Sequence, residues 1–219
     1  MLAATRSDKH PGWRLYDFQE QTVNTKSLWI KQSIIVIACN LAISTASGEE
    51  MSLGDAHAPV TLIQYGSFTC SNCVKFHRTV FPQIKEDYIH TGTVRFIYRH
   101  FPTSDAAAEG ALAAQCAGDK FYEMLDELYS SVPLWHKEKN KTAIFTQHAS
   151  SLELNQEAFL SCIADNQGLE DITQQQQTAK QDKNILGTPT FIINGKTIRG
   201  IKTFVEMENL IQEALDKEN

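Results

Sequence analysis

Val60-Thr61-Leu62-Ile63-Gln64-Tyr65 runs through Gly66-Ser67-Phe68-Thr69 into Cys70-Ser71-Asn72-Cys73, and this stretch decides how the chain folds. The first six residues form an apolar run that reads as a buried strand. Beyond the cysteines, Val74, His77, Phe81 and Ile84 recur at three- and four-residue steps, the period of a helix. Two cysteines at a strand-to-helix junction place the first sulfur beside unpaired backbone N–H groups and the positive end of the helix dipole. That setting favours the thiolate, the form that attacks in disulfide exchange. Far along the chain, Gly187-Thr188-Pro189-Thr190-Phe191 gives a loop-to-strand signal with a proline at its hinge.

Outward from this stretch, the helix is expected to run from near Cys70 to about Ile89, kinked where Pro82 interrupts its hydrogen-bond ladder. Thr91-Gly92-Thr93 ends it, and Val94-Arg95-Phe96-Ile97-Tyr98-Arg99 alternates like a second strand. Strand, helix and strand make a βαβ unit. Residues 103–186 carry no strand signal; Asp105–Cys116, Phe121–Ser130, Gln156–Ala164 and Leu169–Ile185 read as helices, with Gln174–Gln177 as a solvated helix face. Thr190–Ile193 and Lys196–Arg199 then form two strands joined by Asn194-Gly195, a hairpin signal, and Phe204–Leu215 closes the chain as an amphipathic helix. The expected organisation is a leader and linker over residues 1–50, a first α/β half over 51–102, an inserted helical domain over 103–186 and a second half over 187–219.

A chain of 219 residues, 42% of them hydrophobic, can bury a full core without disulfides or metals to hold it together. Its net charge of −6 is spread over mixed acidic and basic residues, so no nucleic-acid patch is implied. Near the N-terminus, Ile34-Ile35-Val36-Ile37-Ala38-Cys39-Asn40-Leu41-Ala42-Ile43 is a short apolar run preceded by Lys26 and Lys31 and followed by Ser44-Thr45-Ala46-Ser47-Gly48. These are the parts of a secretory signal peptide, and the run is short for a bilayer span, which takes about 20 residues. The long polar stretch in front, with no methionine between Met1 and Met51, points to a start site further downstream than Met1. An uncleaved membrane anchor and a lipoprotein-type cleavage at Cys39 are the other readings, and export is the preferred one. In an oxidising compartment Cys116 and Cys162 would tend to pair as a structural staple; the alternative is two unrelated buried thiols.

At this point the motifs carry a resemblance. Leu53-Gly54-Asp55, Ala58-Pro59-Val60, Phe68-Thr69-Cys70 and Phe101-Pro102 resemble the exported DsbA-like thiol:disulfide oxidoreductases, a branch of the thioredoxin superfamily. Ala113-Ala114-Gln115-Cys116-Ala117 and Phe159-Leu160-Ser161-Cys162 are similar to the extra cysteine pair of one subgroup, and Gly187-Thr188-Pro189-Thr190-Phe191 to the family's cis-proline loop. The resemblance covers residues 51–216. It implies an α/β thioredoxin fold with a helical domain inserted between the βαβ and ββα halves.

It also implies a chemistry. Cys70 would be the exposed nucleophile, Cys73 the buried resolving cysteine, and Thr188-Pro189 a cis peptide packed against them. Thr188 would offer its backbone to an extended substrate and its hydroxyl to the Cys70 thiolate. Ser71-Asn72 stands where strongly oxidising relatives carry proline and histidine, which argues for a milder oxidant. Gln64 stands where such relatives carry a buried glutamate that moves protons for the buried thiol, and it cannot titrate. The implied activity is a dithiol oxidase that puts disulfides into unfolded or reduced exported proteins. A DsbB-like membrane partner would reoxidise it, and no cofactor is needed beyond the redox-active cysteines. A reductase or isomerase on the same site, and a non-catalytic surface protein on the same fold, are the alternatives. Half a zinc site is a third reading of the cysteine pair, with His77 on the same helix face, but no second Cys-x-x-Cys or Cys-x-x-His exists to complete it.

Overall fold

The computed structural model describes residues 50–218. The signal-like segment at 34–43, with Cys39, lies outside the described residues. Among those described, no helix is long and apolar enough to cross a membrane.

Strands β1 (Ser52–Leu53), β2 (Val60–Gly66) and β3 (Val94–His100) belong to the first half, and β4 (Thr190–Ile193) and β5 (Lys196–Arg199) to the second. They form one sheet in the order β1-β3-β2-β4-β5. β2 and β3 run parallel, as a βαβ unit requires, and the other neighbours pair antiparallel. Asn194 and Gly195 both take positive φ, 41° and 84°, which is the tight turn their sequence announces. β1 is an unanticipated strand. Its two residues pair with Phe96 and Ile97 just before the Gly54 turn, too short a run for alternation to reveal.

Alternation along β2 separates two cores. Val60, Leu62 and Gln64 face the larger one, together with Phe96, Tyr98, Phe191 and Ile193; Ile63 and Tyr65 face a smaller cluster with Phe101, Ala179, Ile185 and Ile192. The larger core is closed by α1 (Ser71–Thr79), the short α2 (Phe81–Ile84) and the C-terminal helix α8 (Phe204–Glu218).

Where one kinked helix is expected, the structure has three pieces. α1 stops at Val80, α2 begins immediately after it, and a π-helical turn follows over Lys85–Ile89. Pro82 sits in the first turn of α2, where its missing N–H costs nothing, so the break falls two residues before it.

Between β3 and β4 lie only helices: α3 (Asp105–Gln115), α4 (Phe121–Trp135), α5 (Thr142–Ser151), α6 (Gln156–Ile163) and α7 (Asn166–Asp182), with a 3₁₀ turn at Gly118–Lys120. The sequence pattern shows four of the five; α5 buries only Phe145 and Ala149, too few to make a period. A disulfide joins Cys116 at the end of α3 to Cys162 in α6, with Cα atoms 5.7 Å apart. The glutamine run is not wholly solvated, because Gln176 turns inward and donates to the Pro102 carbonyl.

Candidate active site

Cys70 occupies the N-cap position of α1 with extended backbone (φ −78°, ψ 116°), and no side chain caps the helix. The first turn of α1 contains no acidic residue, so the positive end of the helix faces the sulfur unneutralised. The loop that delivers Cys70 is pinned to the helical insertion by hydroxyls. Ser67 Oγ lies 2.9 Å from Thr103 Oγ1, and Thr69 Oγ1 lies 2.9 Å from Ser104 Oγ, the N-cap of α3. Phe68, between these anchors, is buried against Tyr129, Tyr98, His100 and Trp135.

Thr188 and Pro189 are joined by a cis peptide bond. The Cys70 thiol donates to the Thr188 carbonyl at 3.3 Å, across 118 residues of sequence. When the thiol ionises, that bond gives way to donors that serve a thiolate. The Cys73 thiol, the Thr188 hydroxyl and the backbone N–H groups of Cys73 and Asn72 together bring Cys70 down from its ordinary 9.0 to about 5, against the opposing effect of partial burial. Cys73 is fully buried, and burial together with the neighbouring Cys70 sulfur pushes its thiol far up. The two thiols are thus driven apart: one ionised at neutral pH, the other not. Ser71 and Asn72 are both exposed, and Asn72 bears on Cys70 through its backbone N–H.

Gln64 is completely buried beneath α1, and its Oε1 lies 3.1 Å from Nε2 of His77. His77 is therefore an interior residue bonded to an amide. Among the described residues, no three His, Cys, Asp or Glu side chains gather as a metal site would need. Burial, then the charge of Lys85, holds the imidazole well below its usual range and so neutral. Three further residues escaped sequence reasoning. Tyr98 and Tyr129 share a 2.7 Å hydroxyl bond beside Cys73, and both phenols are raised by burial and by the Cys73 charge. His100 lies among Phe68, Tyr98 and Phe121, with both ring nitrogens unpartnered. Tyr98 and His100 have the even-numbered parity of Phe96 along β3, which marks them as facing the same core; nothing in the sequence ties Tyr129 to them.

A family model described as Thioredoxin matches residues 46–213 of the chain. The crystal structure of α-DsbA1 from Wolbachia pipientis aligns with a TM-score of 0.72 at 30% identity, covering 78% of this chain and 93% of that one. The chain belongs to the DsbA family of thioredoxin-fold proteins. A DsbA-family member with helices between the two halves of its sheet is the architecture described above. Among curated relatives, a putative protein-disulfide oxidoreductase of Rickettsia bellii is 25% identical over 170 residues, 77% of this chain and 64% of that protein. Disulfide bond formation protein D of Bacillus subtilis is 25% identical over 168 residues, 74% of this chain and 76% of that protein. The chain spans less than two thirds of the rickettsial relatives it matches, 64% of one and 55% of another.

Proposed function

We propose that this DsbA-family chain is a dithiol oxidase acting on exported proteins. The substrate's thiolate attacks Cys70 of the Cys70–Cys73 disulfide and Cys73 leaves as the thiol. A second substrate thiolate then displaces Cys70, so the substrate gains a disulfide and the enzyme holds two thiols. A membrane-bound oxidant of the DsbB type restores the site. Among the parts, Cys70 is the nucleophile, Cys73 the resolving group, Thr188-Pro189 the edge that receives substrate backbone, and Cys116–Cys162 a staple outside the reaction. Exposed Leu186, immediately before the Thr188 loop, offers an apolar contact to an unfolded substrate.

The observation that supports oxidation over reduction is the Cys70 thiol brought to about 5. A thiolate exists only in the reduced protein, so stabilising it makes the disulfide easier to reduce and hence a stronger oxidant. Two pH units between 5 and neutrality correspond to at most about 60 mV relative to an ordinary thiol, at about 30 mV per 1.4 kcal/mol. Equilibration of the described domain with glutathione redox buffers measures the potential directly. A value well above the roughly −270 mV of thioredoxin supports the oxidase. A thioredoxin-like value would make the protein a reductase or isomerase that draws electrons from elsewhere.

A further inference from the structure

Cys73 must give up or take back a proton every time the pair closes or opens, although its sulfur is sealed from solvent. Few groups can handle that proton. Tyr98 from β3 and Tyr129 from α4 lie near enough to feel the Cys73 charge, but burial drives both phenols further from ionising. His77 is different. It follows Cys73 by one helical turn on the same face of α1, both residues being buried there, and helical side chains lean back toward the preceding turn.

The position of this ring is over-determined. It stacks on Tyr129 with centroids 3.9 Å apart and planes 9° from parallel, and it meets Phe81 and Phe76 on other sides. Its tautomer is also set. The Gln64 Oε1 that meets Nε2 can only accept, so Nε2 carries the hydrogen and Nδ1 keeps its lone pair. Nδ1 has no hydrogen-bond partner in the interior, and neither does the Gln64 amide nitrogen. The charge that acts on the ring is that of Lys85 on the π-helical turn, itself paired to Asp126 of α4. A neutral imidazole with a free basic nitrogen therefore sits one turn from the thiol that must be deprotonated.

Resting on the dithiol reading above, we infer that His77 is the base that receives the Cys73 proton, with Gln64 holding it in the competent tautomer. In the closing step, Cys73 attacks a mixed disulfide at Cys70. The S–H electron pair forms the Cys70–Cys73 bond, the proton passes to His77 Nδ1, and the partner sulfur departs as thiolate with the electrons of the broken bond. In the opening step a substrate thiolate attacks Cys70, the Cys70–Cys73 bond breaks, and the leaving Cys73 sulfur takes a proton relayed from water by the same neutral ring.

Stopped-flow reaction of the reduced protein with the coloured aromatic disulfide dithio-bis-nitrobenzoate separates the two sulfurs. The first thiol released reports attack by Cys70, and the second reports attack by Cys73 on the resulting mixed disulfide. His77→Gln is expected to leave the first release unchanged and to slow the second about a hundredfold at neutral pH, within the range of a positioned general base. The wild-type second release should be nearly flat with pH, and the variant's should climb about tenfold per pH unit as hydroxide takes over. His77→Glu, which restores a base, should recover most of the rate. Gln64→Leu keeps the imidazole but frees its tautomer, and should slow the second release by a smaller factor, which keeps the test open if the glutamine variant does not fold. A second release with the same rate and pH dependence in these variants overturns the role of His77. A wild type that releases only one equivalent overturns both that role and the dithiol reading beneath it.

Discussion

Lowering the pH from 7.5 to 5.0 should destabilise the fold chiefly through buried histidine. His100 is 5% exposed, and burial alone lowers its imidazole from an ordinary 6.5 to about 3. A base whose folded value is lowered refuses a proton that the unfolded chain accepts. Its contribution is therefore intact above the unfolded value near 6.5 and is lost progressively as pH falls toward 3. The slope is about 1.4 kcal/mol per pH unit, so by pH 5 His100 alone has removed about 2 kcal/mol. His77 is lowered by burial and Lys85, and His148 by burial, so both act in the same direction. Cys70 must be silenced first. As a reduced thiol its folded value of about 5 lies below the ordinary 9.0, so it too would lose stability across this window. The measurement is urea unfolding at both pH values with the Cys70–Cys73 pair oxidised, on the wild type and on His100→Leu. The wild type should lose more stability than the leucine variant by about 2 kcal/mol. Equal losses in the two proteins would refute the reasoning, because His100 would then be reaching its proton without unfolding.

Two further outcomes test the packing. Gly66→Ala would place a Cβ 2.6 Å from the Tyr98 ring and 2.7 Å from its hydroxyl, disturbing the bond to Tyr129. Such overpacking costs about 1–3 kcal/mol, measurable as a lower urea midpoint at unchanged slope. Replacing Cys116 and Cys162 together by alanine reopens a loop of 46 residues. The chain-entropy relation gives about 4 kcal/mol for that loop, and calorimetry of the double variant should find most of it missing while Cys70 still reacts as a thiolate.

The parts of this protein that sequence makes legible are those with a local cause. The apolar run of Val60–Tyr65, the period-two apolarity over Val94–Arg99 and the Asn194-Gly195 turn each arise from neighbours along the chain and mark their elements to within a few residues, and the helical spacing after Cys73 marks where α1 begins. Pro82 misled because local reasoning knows that proline ends a hydrogen-bond ladder but not which side of the break it occupies. β1 and α5 were missed because both are held by what they pack against more than by their own pattern.

Residue order alone is enough to begin a helix at a cysteine pair after a buried strand, and to complete the sheet more than a hundred residues later. Only the tertiary structure brought Thr188 to within 3.3 Å of Cys70 and Gln64 to within 3.1 Å of His77. Only it could bury Tyr98 and Tyr129 where they feel the second thiol, and His100 beside Tyr98 among Phe68 and Phe121. The physical reason is that a residue type carries its ordinary pKa and its hydrogen-bonding capacity along the chain, whereas desolvation and partner geometry belong to the packed interior. The cysteines were visible from their spacing; what separates their acidities is decided by what folding places around them.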